Sequence, residues 1–209
     1  MDSPIPRLYA IIDPAQTGDR SPTEVCEILL SAGVRLIQYR DKHASSRRLF
    51  ETSRQIAAQV RRAGGVFIVN DRADVALAAG ADGVHVGQDD LPVELARRML
   101  GAEKWIGCST HGLAQVVEAD KSSSDYIAFG PIFPTQSKDR PDPVVGLEGL
   151  REARKVTRKP LVAIGGITLE NARAVIEAGA DSVAVIASLL RASDLGARAR
   201  EFLQWLGDS

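Results

Sequence analysis

The sequence predicts a single α/β domain, a (β/α)₈ TIM barrel that spans residues 1–209. Three observations favour this fold. Short apolar runs alternate eight times with helical segments, a pattern that gives a parallel sheet with both faces covered. Several helix ends carry Gly and lead at once into the next strand. Polar residues gather where the strands end, which is the end of a barrel that carries the chemistry.

The predicted strands are short apolar runs, each bounded by turn or cap residues. They lie at about 8–12, 34–39, 66–69, 83–86, 105–108, 125–129, 161–164 and 182–186. The predicted helices lie at about 22–31, 46–63, 72–79, 92–100, 113–119, 147–156, 168–178 and 195–206. Residues 130–146 carry four prolines, which predicts a long constrained loop.

A weak internal repeat supports this order of elements. Residues 32–34, 79–84 and 178–183 share a helix end with Gly at a left-handed cap position, followed by a strand start. Residues 124–126 (Ser-Asp-Tyr) form a counterpart that lacks the Gly. These segments precede the second, fourth, eighth and sixth strands, so the repeat matches an alternating barrel.

Composition excludes several classes of function. The chain has 26 basic and 27 acidic residues, so no overall field favours nucleic acid or an anionic membrane. No apolar run reaches the roughly 18 residues of a membrane span, and the N-terminus lacks the pattern of a secretory signal. Cys26 and Cys108 are too few for a disulfide framework or a zinc site. We therefore expect a cytoplasmic protein.

Two acids at neighbouring strand ends predict a metal site. Asn70 and Asp71 follow the third strand, and Gln88 and Asp90 follow the fourth. Since the ends of adjacent parallel strands open on the same side, the two carboxylates should converge as a hard divalent cation requires. The alternative is that each aspartate caps the helix after it.

Basic residues at the second strand end predict a site for a multiply charged ligand. Side chains alternate along a strand, so Gln38, Arg40 and Lys42 point to one side. A solvated surface pair is the alternative for the two cations. Because Mg²⁺ prefers one or two carboxylates together with substrate phosphates, acids and bases on one rim favour a pyrophosphate ligand.

A second phosphate site is predicted after the seventh and eighth strands. Gly165 and Gly166 lead into a helix N-terminus, where backbone can approach a phosphate. Ile186 and Ala187 would complete this cup through backbone amides.

The histidines offer little to a mechanism. His85 alternates with valines, which favours a packed interior residue, and His43 is predicted in a loop. His111 lies at a strand end without an obvious partner. With no nucleophile elbow and no Cys/His arrangement, covalent catalysis is disfavoured.

These residues resemble the thiamine phosphate synthase family from Leu8 to about Leu190. The resemblance rests on six blocks that occur in the family's order: residues 38–42 (QYRDK), 70–72 (NDR), 83–92 (GVHVGQDDLP), 106–111 (IGCSTH), 130–138 (GPIFPTQSK) and 163–167 (AIGGI). Six blocks in order are far more specific than any one of them.

The resemblance implies a reaction. Such enzymes join 4-amino-2-methyl-5-hydroxymethylpyrimidine diphosphate to 4-methyl-5-(2-phosphoethyl)thiazole, or to its carboxylate, and release pyrophosphate. By the family pattern, Asp71 and Asp90 would hold Mg²⁺. The implied pyrimidine diphosphate ligands are Gln38, Arg40, Lys42, Asn70, Ser109 and Lys138. The implied thiazole phosphate ligands are Thr135, Ser137, Gly166, Ile186 and Ala187.

Four of these residues are expected to act in catalysis: Arg40, Lys42, Ser109 and Lys138. Two positions depart from the family pattern. Ser137 stands where Thr is frequent, which keeps the hydroxyl, and Ala187 stands where Ser is frequent, which leaves phosphate binding there to backbone amides.

Two rival functions remain. A thiazole tautomerase would share the fold, but that group tends to lose the acids that this chain keeps and to carry His where Pro131 stands. A sensor that only binds a phosphorylated ligand would not need both the acids and the cations. The expected partners are small-molecule substrates, with neither nucleic acid nor membrane, and a homo-oligomer is left open.

Overall fold

The computed structural model describes residues 5–135 and 142–207. Parallel strands close into a barrel in which each strand pairs with the next and the last pairs with the first. The strands are β1 (Leu8–Ile12), β2 (Leu36–Tyr39), β3 (Val66–Asn70), β4 (Gly83–Val86), β5 (Trp105–Thr110), β6 (Tyr126–Phe129), β7 (Leu161–Ile164) and β8 (Ser182–Val185). The predicted (β/α)₈ fold is confirmed.

Helices alternate with these strands along the chain. They are α1 (Pro22–Ser31), α2 (Ser46–Arg62), α3 (Ala73–Ala79), α4 (Val93–Leu100), α5 (Leu113–Lys121), α6 (Gly146–Val156), α7 (Leu169–Glu177), α8 (Ala187–Leu190) and α9 (Leu195–Leu206). Among the described residues, no helix is both long and apolar enough to cross a bilayer.

Three predicted bounds differ from the structure by two residues, and one helix was missed. Strand β5 continues to Thr110 and helix α5 to Lys121. Strand β2 begins at Leu36 rather than at residue 34, because the Val34 N–H still donates to Leu29 O and so belongs to the cap of α1. The sequence analysis also missed α8, since four residues are too few to show a helical period.

The apolar core has two layers. The inner layer fills the barrel with alternate strand residues such as Tyr9, Leu36, Ile68, Tyr126 and Val162. The other apolar strand residues pack outward against the helices. Beyond the carboxyl ends of the strands, the inward positions continue as polar residues, so the same alternation that builds the core aims side chains into the mouth of the barrel.

The repeat seen in the sequence corresponds to glycine caps and aspartate hydrogen bonds at the end of the barrel where the strands begin. Gly80 has φ of +68°, the left-handed cap that was predicted. Asp82, Asp125 and Asp181, which stand just before β4, β6 and β8, each accept an N–H from the start of the preceding strand at 2.7–2.9 Å. These aspartates tie neighbouring strands together where the strands begin.

Candidate active site

A cavity of about 860 Å³ opens at the carboxyl ends of the strands. Its size falls in the range usual for small-molecule sites, and every strand contributes to its wall. The predicted site residues that line it are Gln38, Arg40, Lys42, Asn70, Asp71, Asp90, Ser109, Thr135, Gly166, Ile186 and Ala187. Ser137 and Lys138 lie outside the described residues.

Asp71 and Asp90 come together at this rim, as the strand order predicts. Burial, and then the neighbouring Asp90 carboxyl, raises the pKa of Asp71 from 3.8 to about 6. Lys42 and Arg40 act in the opposite direction. The Lys42 Nζ lies 3.6 Å from Asp71 Oδ2. A carboxyl whose ionisation is disfavoured by a second acid gains most from a bound cation.

Neither aspartate caps a helix, so the alternative interpretation was wrong. Helix α3 has Arg72 at its N-cap and α4 has Pro92, and neither helix shows a side-chain cap bond. Asp71 has φ of +62°, a conformation that Asp tolerates better than most residues. Asp90 Oδ2 instead accepts the Gly87 N–H at 2.7 Å, which fixes the loop after β4.

Arg40 is held at the rim by a buried acid. Its Nη1 pairs with Oδ2 of Asp13, which follows β1. The sequence analysis missed Asp13 as a site residue, although the alternation of inward residues from Tyr9 and Ile11 leads directly to it. Lys42, in contrast, has its side chain about half exposed and extends from the rim.

The Gly165–Gly166 turn follows β7 with φ of +98° and +63°. A Cβ at position 166 would lie 2.5 Å from Pro134 O, so this turn can pack against the loop after β6 only as glycine. Thr168 then begins α7 in a capping box with Asn171. The N-terminal turn of α7 and the start of α8 therefore face the same side of the cavity.

Two histidines have more polar partners than the sequence suggested. His85 is buried, as predicted, yet its Nε2 lies 2.9 Å from Ser109 Oγ. His111 was expected to lack a partner, and this was wrong. Its Nδ1 lies 2.7 Å from Gly130 O, and its Nε2 lies 3.5 Å from Asp142 Oδ2. His111 thereby connects the end of β5 to two residues of the 130–146 segment, Gly130 and Asp142.

Arg191 is a cavity residue that the sequence analysis missed. It follows α8, lines the cavity beside Ala187, and its Nε donates to Gln16 Oε1 at 2.7 Å. Since α8 was not predicted, no signal placed Arg191 at the mouth of the barrel.

Comparison with known proteins finds similarity over most of the chain. The family model described as thiamine monophosphate synthase matches residues 8–189. The thiamine-phosphate synthase of Koribacter versatilis is 52% identical over 97% of this chain and 96% of its own length. That of Chloroflexus aurantiacus is 46% identical over 93% and 90%.

A solved structure agrees in three dimensions. The thiamine phosphate pyrophosphorylase of Pyrococcus furiosus superposes with a TM-score of 0.87 at 35% identity, covering 97% of this chain and 96% of its own. Sequence and fold give one answer, and the chain belongs to the thiamine monophosphate synthase family.

Proposed function

We propose that this cavity joins 4-amino-2-methyl-5-hydroxymethylpyrimidine diphosphate to 4-methyl-5-(2-phosphoethyl)thiazole or its 2-carboxylate, giving thiamine phosphate and pyrophosphate. As a member of its family the chain is a transferase of thiamine biosynthesis. One observation carries the assignment of the site: a single rim brings together two acids, two cations and a glycine turn at a helix N-terminus.

The pyrimidine diphosphate is assigned to the side of the rim formed by β2 to β5. Gln38, Asn70 and Ser109 would hold the ring, and Arg40 and Lys42 the diphosphate. Support comes from their common cavity and from the Asp13–Arg40 pair, which orients a guanidinium for a charge-assisted bond to phosphate. Lys138 is assigned to the same diphosphate by the family resemblance.

Asp71 and Asp90 fit a divalent cation. They place two carboxylates side by side, and burial together with the Asp90 carboxyl raises the pKa of Asp71, which supports a site that a cation would stabilise. Within residues 5–135 and 142–207, no group of three or more acid, His or Cys side chains converges. Two carboxylates completed by substrate phosphates suit Mg²⁺, which when bound would neutralise part of the leaving pyrophosphate.

The chemistry needs no protein nucleophile. The aminopyrimidine ring can stabilise a methylene cation as the C–O bond to pyrophosphate breaks, and the thiazole nitrogen then captures that cation. Arg40, Lys42 and Lys138 would stabilise the charge on the departing pyrophosphate, and Ser109 would hold the ring. The chain otherwise contributes position, by holding the two heterocycles next to each other in one cavity.

The thiazole phosphate is assigned to the turn after β7 and the start of α8. Gly166 lines the cavity beside the first turn of α7, and a helix N-terminus favours a phosphate. Thr135, Ser137, Ile186 and Ala187 would complete this end. Ala187 carries no hydroxyl, so its contribution would come from the backbone.

The direct test mixes the two phosphorylated heterocycles with the protein, with and without Mg²⁺. We expect thiamine phosphate and pyrophosphate in equal amounts, and only with the metal. Isomerisation of a thiazole carboxylate without coupling would instead indicate a tautomerase, and binding without turnover would indicate a sensor.

The remaining proposals concern the whole chain. We propose that residues 1–209 act as one catalytic domain, since β1 and β8 close the barrel and α9 packs near α1 and β1. Free, buried Cys26 and Cys108 are consistent with the cytoplasm as the compartment. All proposed ligands come from one copy of the chain, and sedimentation equilibrium would show whether it self-associates.

A further inference from the structure

A continuous row of hydrogen bonds crosses the barrel beneath the cavity. Gln38 Nε2 donates to Tyr9 Oη at 2.7 Å, and Tyr9 Oη lies 2.9 Å from Tyr126 Oη. Tyr126 Oη lies 3.1 Å from His85 Nδ1, and His85 Nε2 lies 2.9 Å from Ser109 Oγ. We call these five residues the tyrosine relay. Its two ends, Gln38 and Ser109, both line the cavity.

The relay is rigidly built. Tyr126 stacks on His85 with ring centroids 5.6 Å apart and meets Tyr9 edge-on at 6.0 Å. Gly107 provides the space, because a Cβ there would lie 2.0 Å from the Tyr126 ring. Burial raises the pKa of both phenols well above 10, so each keeps one proton to donate. Each phenol of the relay therefore holds one proton, and what can change is the partner to which it donates that proton.

The direction in which each proton of the relay points follows from counting the N–H and O–H donors of its residues. A buried hydroxyl or imidazole N–H left unpaired is costly. Because Tyr9 accepts from Gln38, it must use its own proton toward Tyr126. Tyr126 then donates to His85 Nδ1, and His85 Nε2–H donates to Ser109 Oγ. The Ser109 proton is left for the cavity, while among the described residues Gln38 Oε1 has no hydrogen-bond partner.

The two ends are also coupled. If the Gln38 amide turned over, Tyr9 would donate to its oxygen, and each proton along the relay would reverse in turn. Ser109 would then donate to His85 and offer only an acceptor. In the direction that the structure holds, the cavity presents an acceptor at Gln38 with a donor at Ser109. Because hydrogen bonds in a chain polarise one another, the opposite pair would require the Gln38 amide and every proton of the relay to reverse together.

We propose that the tyrosine relay makes Gln38 and Ser109 a coupled acceptor–donor pair that selects a 4-aminopyrimidine over a 4-oxopyrimidine. Tyr9 and Tyr126 are its positioning residues. An aminopyrimidine offers an N–H donor beside a ring-nitrogen acceptor, whereas the oxo form offers a carbonyl acceptor beside a ring N–H donor. The inference rests on the proposed function, which places the pyrimidine against Gln38 and Ser109.

The test measures discrimination in the Tyr126→Phe variant. Dissociation constants for the 4-amino and 4-oxo pyrimidine diphosphates are obtained by calorimetry with Mg²⁺ and without thiazole phosphate. We expect the wild-type protein to prefer the amino form by about 100-fold or more, since a site with fixed polar groups rejects a mismatched ligand strongly. In Tyr126→Phe we expect that ratio to fall by about tenfold or more.

Tyr39→Phe is the matched control. Tyr39 is also buried, and its hydroxyl donates to Asp41 Oδ2 at 3.1 Å. Unlike Tyr9, Tyr39 does not line the cavity. We expect this variant to keep the wild-type ratio. If Tyr126→Phe does not fold, Tyr9→Phe interrupts the same relay at its other phenol and should lower the ratio alike.

The outcomes separate the inference from the proposed function. A folded Tyr126→Phe or Tyr9→Phe protein that keeps the full preference overturns the relay, while thiamine phosphate synthesis by the wild-type protein leaves the proposed function standing. A wild-type protein that binds neither pyrimidine and makes no thiamine phosphate overturns both. A loss of discrimination equal in Tyr39→Phe and Tyr126→Phe would mean that any lost phenol loosens the site, and would also overturn the relay.

Discussion

The two ends of the barrel use the same residue type in opposite ways. At the end where strands begin, Asp125 and Asp181 each accept a backbone N–H and an Arg side chain at 2.6–2.8 Å. At the end where strands finish, Asp71 lies beside a second acid, and its ion-pair partner among the described residues is Lys42, with Nζ 3.6 Å from Asp71 Oδ2. Asp125 and Asp181 are thus paired at close range within the chain, whereas the charge of Asp71 is only partly compensated by the described residues around it.

The difference teaches what to look for in an acidic residue. A carboxylate that is fully paired stabilises the fold and has little left to offer a ligand. A carboxylate with incomplete partners costs stability, and such a cost is typical of sites that bind or react. Substitutions at the two ends should therefore separate stability from activity.

The largest effect is expected for Asp71→Asn. Asn tolerates the positive φ at this position, so the backbone should be kept while the charge is lost. We expect kcat/KM for Mg²⁺-dependent coupling to fall by about 100-fold or more, with unfolding free energy unchanged or raised. The measurement is thiamine phosphate formation at varied Mg²⁺.

Asp74→Asn serves as its control, because Asp74 is an exposed acid paired with Arg72 in the same segment. Its activity should stay near that of the wild type. Undiminished Mg²⁺-dependent coupling in Asp71→Asn would overturn the metal assignment.

The opposite result is expected for Asp181→Ala. The change leaves the buried Leu161 N–H and the Arg154 guanidinium without their carboxylate. We expect the unfolding free energy to drop by about 2–3 kcal/mol, while activity per folded molecule is kept. Denaturant unfolding measures the first and an assay below the unfolding transition the second.

Glu177→Gln is the comparison for this stability change, since the Arg173–Glu177 pair is exposed and should contribute at most about 0.5 kcal/mol. Equal stability losses in the two variants would contradict the role given to Asp181.

The smallest effect is a pH dependence of the metal-free protein. The pKa of Asp71 is raised to about 6 in the folded chain, so the folded state binds a proton that the unfolded state releases near pH 4. Stability of the metal-free protein should therefore fall as pH rises from about 4 through about 6, and Asp71→Asn should lack this component. Carbon NMR of the carboxyl groups should show a midpoint near 6 that moves lower when Mg²⁺ is added. A midpoint near 4 without metal would contradict the crowded acid pair.

Most of the fold could be predicted from the sequence. The strands lie where apolar runs were bounded by caps, and the repeat before β4 and β8 marked real glycine caps and aspartate ties. Helix α8 escaped because its four residues carry no period, and the start of β2 was placed early because Val34 is apolar but caps α1.

Site residues could be predicted where they continue the alternation of inward and outward side chains along a strand. Gln38, Arg40 and Lys42 line the cavity as the period of two required. Asp13 continues the same alternation from β1, but it was missed because Pro14 directly after it indicated only a turn. The partners of His85 and His111 could not be predicted, because they come from β5, from β6 and from the loop after β6, and no local sequence pattern indicates contacts between such distant residues.

Gly107 limits which residues related barrels can carry at position 126. The Tyr126 ring fills the volume that a side chain at position 107 would need, so a larger residue at 107 and an aromatic ring in this position cannot be accommodated together. A relative that gains a larger residue at position 107 must give up the aromatic ring at position 126. Reading these two positions together in related barrels should then distinguish those built around a phenol in the floor of the cavity from those that recognise their ligand in another way.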